Sequence, residues 1–159
     1  MKFRTGIGYD VHQLSKGYPL YLGGIKITSD TGAIGHSDAD VAIHAIIDAL
    51  LGAANLRDIG YNYPDSDMKY KGIDSKLLLS DTAQKITAKG FKIENIDCII
   101  CLQHPKIAIF IPQMQEIIAK ILNIDREDIS IKATTTEKLG FIGREEGIAS
   151  YAVTLLSKY

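Results

Sequence analysis

The chain of 159 residues is poor in cysteine, close to neutral, and free of long apolar runs. Its two thiols, Cys98 and Cys101 in "DCIICL", have the spacing of a redox or zinc motif. The segment reads as a strand, however, where i and i+3 point to opposite faces. The pair therefore reads as two buried, inert thiols in a reduced, cytoplasmic-type protein. A net charge of −1 offers no broad basic surface for nucleic acid or acidic membranes. No stretch approaches the roughly 20 apolar residues of a membrane span. There is no linker, repeat or low-complexity segment. With Met1 two residues ahead of the first strand residue, no signal or transit peptide is expected, unless the chain is a trimmed mature form.

What is present suits one compact domain, residues 1–159, with a real core: 46% of the residues are hydrophobic. Runs rich in Ile, Val, Tyr and Thr predict strands at Phe3–Val11, around Tyr21–Ile27, at Phe91–Gln103, at Ile129–Thr135 and at Gly147–Leu156. Helices are predicted at Asp38–Ala53, Ser75–Lys89 and Pro112–Leu122. Ser37 is placed to cap the first, with Asp40 in the capping-box position, and Gly90 to end the second. This alternation implies an α/β or α+β sheet with a helical layer. "CIICL" and "IASYAVTLL" are apolar on both faces, and three helices cover only one face of a small sheet. The second face then meets another subunit, which predicts a homo-oligomer.

Chemistry concentrates in a few places. In "GIGYDVHQL", Asp10 and His12 are two residues apart at a strand end, so both aim at one spot. In the first helix, Asp40, His44 and Asp48 are the polar exceptions between Ala39 and Leu51, and their i, i+4, i+8 spacing makes one stripe. The simpler reading of a lone histidine there is a satisfied half-buried side chain. With Asp10 and His12, His44 completes a His₂Asp set that leaves a position open, as catalytic zinc sites do. The same donors suit a non-haem Fe(II) triad. Asp40 or Asp48 is placed to bond the second nitrogen of His44. His36 and Ser37 in "GHSDAD" stand at a helix N-terminus, which attracts phosphate or is simply capped. The loop "RDIGYNYPDSD" carries Asp58, Asp65 and Asp67, for turning the chain or for binding hydroxyls. In "KATTTEKLGFIGREEG", Lys132, Thr134, Thr135, Thr136, Glu137 and Lys138 suit a diphosphate with its Mg²⁺, although threonine is also an ordinary strand residue. "LQHPKIAIFIP" adds a turn with Lys106, in which His104 reads as structural.

Together "GYDVH", "HSDADVAIHAIIDALLGAA", "DIG…PDSD" and "IKATTTEKLGFIGREEGIA" resemble the 2-C-methyl-D-erythritol 2,4-cyclodiphosphate synthase family, in order and along the whole chain. The resemblance implies an α+β fold (an α/β sandwich). Its small mixed sheet carries helices on one face, and three sheets pack around a threefold axis in a homotrimer with active sites between subunits. It implies zinc on Asp10, His12 and His44, and Mg²⁺ or Mn²⁺ on Glu137. His36 and Ser37 match a loop that binds the phosphate and erythritol portion; Asp58, Ile59 and Gly60, with Asp65 nearby, match the methylerythritol pocket. Ala133, Thr134 and Thr135 match diphosphate and cytidine contacts, and Leu102, Pro105, Lys106 and Ile107 the cytosine pocket. Phe141 and Arg144 match a trimer cavity that holds an isoprenoid diphosphate in some members. Asp10, His36, Lys132 and Thr135 are the residues expected to act on the reacting phosphates.

The implied reaction takes 4-diphosphocytidyl-2-C-methyl-D-erythritol 2-phosphate to the cyclic diphosphate and CMP, in the non-mevalonate isoprenoid pathway. The implied setting is the bacterial cytoplasm, or the plastid stroma for a trimmed form. Two departures stand out: His104, where a small residue precedes Pro-Lys, and Glu145 after Arg144. The rival readings are an Fe(II) enzyme on the same triad and a non-enzymatic trimer that binds nucleotide or isoprenoid diphosphate.

Overall fold

The computed structural model describes all 159 residues. Five strands form a mixed sheet in the order β4–β1–β7–β5–β6. β1 (Lys2–Lys16) and β7 (Gly147–Lys158) are its long antiparallel centre, paired from Lys2↔Lys158 to Gln13↔Gly147. β5 (Lys92–Cys101) runs antiparallel to β7 and parallel to β6 (Ile129–Thr134), and β4 (Thr31–Ile34) closes the other edge against β1. A separate hairpin, β2 (Leu20–Leu22) and β3 (Ile25–Ile27), stands where one strand was expected around Tyr21–Ile27. Gly23 and Gly24, both at positive φ, make its two-residue turn.

The main helices are α1 (Val41–Ala53), α3 (Ser75–Ala88) and α4 (Ile111–Leu122). α1 packs on β1 and β7 and is itself covered by α3, so all its side chains are buried except Asp48 and Gly52. That double cover is why its sequence is apolar nearly all round. Two short turns, α2 (Ile59–Asn62) and α5 (Gly140–Gly143), sit in connecting loops.

Glycines set the spacing between α1 and β1. A Cβ on Gly6 would lie 2.0 Å from the Ala49 carbonyl oxygen, and one on Gly8 would lie 1.9 Å from that of Ala45. Gly6, Gly8, Asp10 and His12 share one strand face. The two glycines let the helix backbone touch the strand, and the next two residues on that face meet the start of the helix.

The opposite face of the sheet has no helical cover. Ile7, Tyr9 and Val11 on β1, with Tyr151 and Val153 on β7, are all more than 40% exposed. Tyr9 pairs with Tyr151, their rings 4.8 Å apart between centroids.

Candidate active site

β1 continues to Lys16 rather than stopping at Val11, so Asp10 and His12 lie within the strand, not at its end. The strand is prolonged by pairing of Gln13–Lys16 with β4, a four-residue strand of small side chains that the sequence pattern did not predict. Beside them α1 delivers His44. The Asp10 carboxylate oxygen Oδ2 is 2.9 Å from His12 Nε2 and 3.0 Å from His44 Nδ1, and the two nitrogens are 3.3 Å apart.

These three atoms fit a metal ion. Four donors at the usual zinc distances of about 2.0–2.1 Å stand about 3.3 Å from one another in a tetrahedron. The observed triangle is slightly tighter than one face of that figure. His12 Nδ1 donates to the Ile34 carbonyl at 3.1 Å, so its Nε2 offers a lone pair toward a carboxylate that also only accepts. A proton or a cation must sit between them. Burial alone would raise the Asp10 pKa, but hydrogen bonds from His12 and His44 outweigh it and bring it down to about 2. Burial likewise works against the charged form of His12, and the Asp10 hydrogen bond outweighs it, so its pKa is raised.

The stripe on α1 divides into three separate jobs. Asp40, not Ser37, is the N-cap: its carboxylate accepts from Ile43 N–H at 3.1 Å. It also accepts from Gly23 N–H at 3.0 Å and Gly24 N–H at 2.7 Å, tying the hairpin turn to the helix. A fully buried carboxylate needs such donors, and it makes no hydrogen bond to the His44 ring. Asp48 accepts from Ile59 N–H at 3.1 Å and so anchors the loop that carries Ile59 and Gly60. The second nitrogen of His44 therefore meets neither aspartate. His44 Nε2 lies 2.8 Å from Ser75 Oγ and 3.2 Å from Ser37 Oγ.

His36 and Ser37 precede α1 rather than standing at its first turn, and they reach the site through their side chains. A single cavity is lined by Asp10, His12, His36, Ser37, Ile59, Gly60 and Asp65 together with His44. His36 Nε2 is buried there without a hydrogen-bond partner. Sequence reasoning missed the cavity's aromatic wall of Tyr63 and Tyr70, which the i, i+7 spacing in a loop does not signal. Tyr63 is held by its hydroxyl, 2.7 Å from Asp81 and 2.8 Å from Thr82 on α3. Asp58 spends its carboxylate capping α2 through Tyr61 N–H at 3.1 Å.

The remaining candidates lie elsewhere. Leu102, Pro105, Lys106, Ile107, Ala133, Thr134 and Thr135 line a second, separate groove. Glu137 is beside it, at φ 53°, with its carboxylate 3.4 Å from the Thr135 hydroxyl and otherwise open to water. Lys132 sits on the outer face of the sheet, its ammonium 2.7 Å from Asp97. Arg144 grips Glu146 with bonds of 2.9 and 3.1 Å beside the exposed Phe141. His104 and Glu145, the two departures from the family pattern, face each other at 3.9 Å. Cys98 and Cys101 are both buried and form no disulfide; Cys98 Sγ lies 3.3 Å from Ser150 Oγ, and burial pushes its thiol up to about 12.

Each of the two cavities encloses about 180 Å³. That is below the roughly 300 Å³ at which pockets for drug-sized ligands begin. A ligand the size of a nucleoside diphosphate sugar fits neither one alone.

Comparison with known proteins agrees over nearly the whole chain. The model of the YgbB family matches residues 3–157. The 2-C-methyl-D-erythritol 2,4-cyclodiphosphate synthase of Bacteroides fragilis is 58% identical over 158 residues, covering 99% of both chains. Among solved structures, the IspF–CDP complex of Plasmodium falciparum superposes with a TM-score of 0.86 at 35% identity, covering 99% of this chain and 97% of that one. The bifunctional IspDF of Campylobacter jejuni gives a TM-score of 0.95 at 46% identity, with 99% of this chain matched to 43% of that one.

Proposed function

The chain belongs to the YgbB family, and on that footing we infer that it converts 4-diphosphocytidyl-2-C-methyl-D-erythritol 2-phosphate to 2-C-methyl-D-erythritol 2,4-cyclodiphosphate and CMP. It is a phosphorus–oxygen lyase of the non-mevalonate isoprenoid pathway. The observation that carries this beyond the family match is the convergence of Asp10, His12 and His44 at the wall of a cavity shared with His36, Ser37, Ile59, Gly60 and Asp65.

In the reaction, an oxygen of the substrate's 2-phosphate attacks the β-phosphorus, the bond from that phosphorus to the CMP oxygen breaks, and an eight-membered ring closes. The substrate carries its own nucleophile, so the protein acts by positioning and charge compensation. Asp10, His12 and His44 would hold zinc, and Glu137 would hold Mg²⁺ or Mn²⁺. When bound, the two cations supply positive charge that orients and polarises phosphate oxygens. His36 and Ser37 take the 2-phosphate side. Ile59 and Gly60 with Asp65 and Asp58 hold the methylerythritol. Leu102, Pro105, Lys106 and Ile107 hold the cytosine; Ala133, Thr134 and Thr135 hold the diphosphate, with Thr135 and His36 on either side of the transferring phosphoryl group. Lys132 contributes to the diphosphate only if it leaves Asp97.

Residues 1–159 act in this reading as one catalytic domain and a homotrimer. Its support is twofold: the two small cavities are separate in one chain, and the sheet face carrying Ile7, Tyr9, Tyr151 and Val153 is apolar and bare. Each active site then joins the metal pocket of one subunit to the cytosine groove of the next. Phe141 and Arg144 would line the trimer cavity, open to an isoprenoid diphosphate. The setting is the cytoplasm, in keeping with two free buried thiols and no helix long and apolar enough to cross a membrane.

Phosphorus NMR of the substrate with protein, Zn²⁺ and Mg²⁺ tests the proposal. CMP and the cyclic diphosphate should form, and chelator should abolish both. Tight nucleotide binding without CMP release from metal-loaded protein would overturn it in favour of a binding module.

A further inference from the structure

Behind His44 lies a small, partly buried polar chain that the proposed reaction does not use directly. Ser75 is the first residue of α3 and wholly buried; its Oγ is 2.8 Å from His44 Nε2. On its other side Ser75 Oγ donates to Asp38 Oδ1, and Ser75 N–H donates to Asp38 Oδ2 at 2.8 Å. Asp38 also accepts from Asp40 N–H at 3.2 Å. A carboxylate only accepts, and a serine hydroxyl has one proton. With that proton given to Asp38, Ser75 Oγ has only lone pairs left for His44. The hydrogen is then on His44 Nε2, where Ser37 Oγ at 3.2 Å can also accept it, and in the neutral ring that binds a metal the lone pair is on Nδ1, the nitrogen that faces Asp10 and His12.

We propose that Asp38 and Ser75 are positioning residues that set the tautomer of His44 and so hold Nδ1 ready for zinc. This rests on the zinc reading of the Asp10–His12–His44 site. The relay spans three elements: Asp38 lies in the loop before α1, His44 on α1 and Ser75 at the start of α3. His12 is oriented in a parallel way, by its Nδ1–H on the Ile34 carbonyl, so each histidine ligand has its own fixed partner. Losing such a partner costs metal sites about 10- to 100-fold in affinity.

Asp38→Asn discriminates best because it keeps the shape. The new amide turns its carbonyl to Ser75 N–H and its NH₂ to Ser75 Oγ. The serine proton is then directed at His44 Nε2, and the hydrogen moves to Nδ1, closing the ligand position. Ser75→Ala removes the relay altogether. Zinc affinity of the full-length protein is measured by competition with a chromophoric chelator, alongside thermal melting of the metal-free protein. The expected result is zinc binding weakened about 10- to 100-fold in both variants, at least as much in Asp38→Asn, with cooperative melting retained. Wild-type zinc affinity in Asp38→Asn overturns the relay. So does loss of zinc in both variants together with loss of the melting transition, which marks a purely structural role. If the wild type itself takes up no zinc, the zinc reading of the site fails, and that outcome is distinct from the failure of the relay alone.

Discussion

The metal pocket and the groove beside Thr134 are built from different material. In the pocket most of the wall is braced: His12 by a strand carbonyl, His44 by Ser75, Ile59 by Asp48, and Tyr63 by Asp81 and Thr82. The groove is edged by exposed threonines, by Lys106 and by Glu137 at positive φ, with few side-chain bonds holding them. The first region comes preorganised from the core of one chain. The second is open to water and holds its polar side chains with few bonds of its own. Substitutions in the two regions should therefore fail in different ways.

The largest effect is expected where the pocket depends on backbone contact. Gly8→Val would push a side chain into the Ala45 carbonyl and force α1 from β1. A loss of about 3 kcal/mol or more in urea unfolding is expected, with zinc binding lost as the helix moves. Wild-type stability would show that the strand–helix contact is not what holds the pocket. Next, His44→Ala should leave a folded chain without zinc and cut turnover by roughly 100-fold or more. Metal analysis and phosphorus NMR together check this, and full activity in the zinc-free variant would sink the zinc assignment.

In the open region, Glu137→Gln should slow turnover by about 10- to 100-fold. Stability should stay within about 0.5 kcal/mol, as at other exposed sites. A steady-state titration of Mg²⁺ against rate, beside a melting curve, separates the two. A matching loss of stability would contradict the division drawn between the regions.

The smallest effect concerns acid. Asp81 is partly buried, which works against its charged form, but Tyr63 and Lys85 outweigh this and hold its pKa below the ordinary carboxylate value. A depressed carboxylate contributes stability above its unfolded pKa near 4, and loses it as pH falls through the lower folded value. Tyr63→Phe removes one of those partners. The fall in stability on acidification below about pH 4 should become shallower, by a modest amount because Asp81 is half exposed. Equal slopes in both proteins would mean that the Tyr63–Asp81 bond does not contribute.

Some of this was legible along the chain. The i, i+2 rule put Asp10 and His12 on one face, and the lone histidine in an apolar helix singled out His44. The hydrophobic runs located the long strands and all three main helices. β4 escaped because "TGAI" has little of a strand's composition, and the hairpin because its two strands have three residues each. The capping assignment failed because Asp40 competes better than Ser37: it also has two turn N–H groups to satisfy. The Asp38–Ser75 relay joins residues 37 apart, which no local spacing reveals.

The sequence by itself determined the ligand types, their faces on strand and helix, and the family. Periodicity and motif order are local properties, and they survive without coordinates. Only the tertiary structure decided which of His44's neighbours would be its partners, and that one chain divides its candidate residues between two cavities. Both depend on how closely α1 lies on β1 and how α3 covers it, distances set by packing across the core rather than by any neighbouring pair of residues.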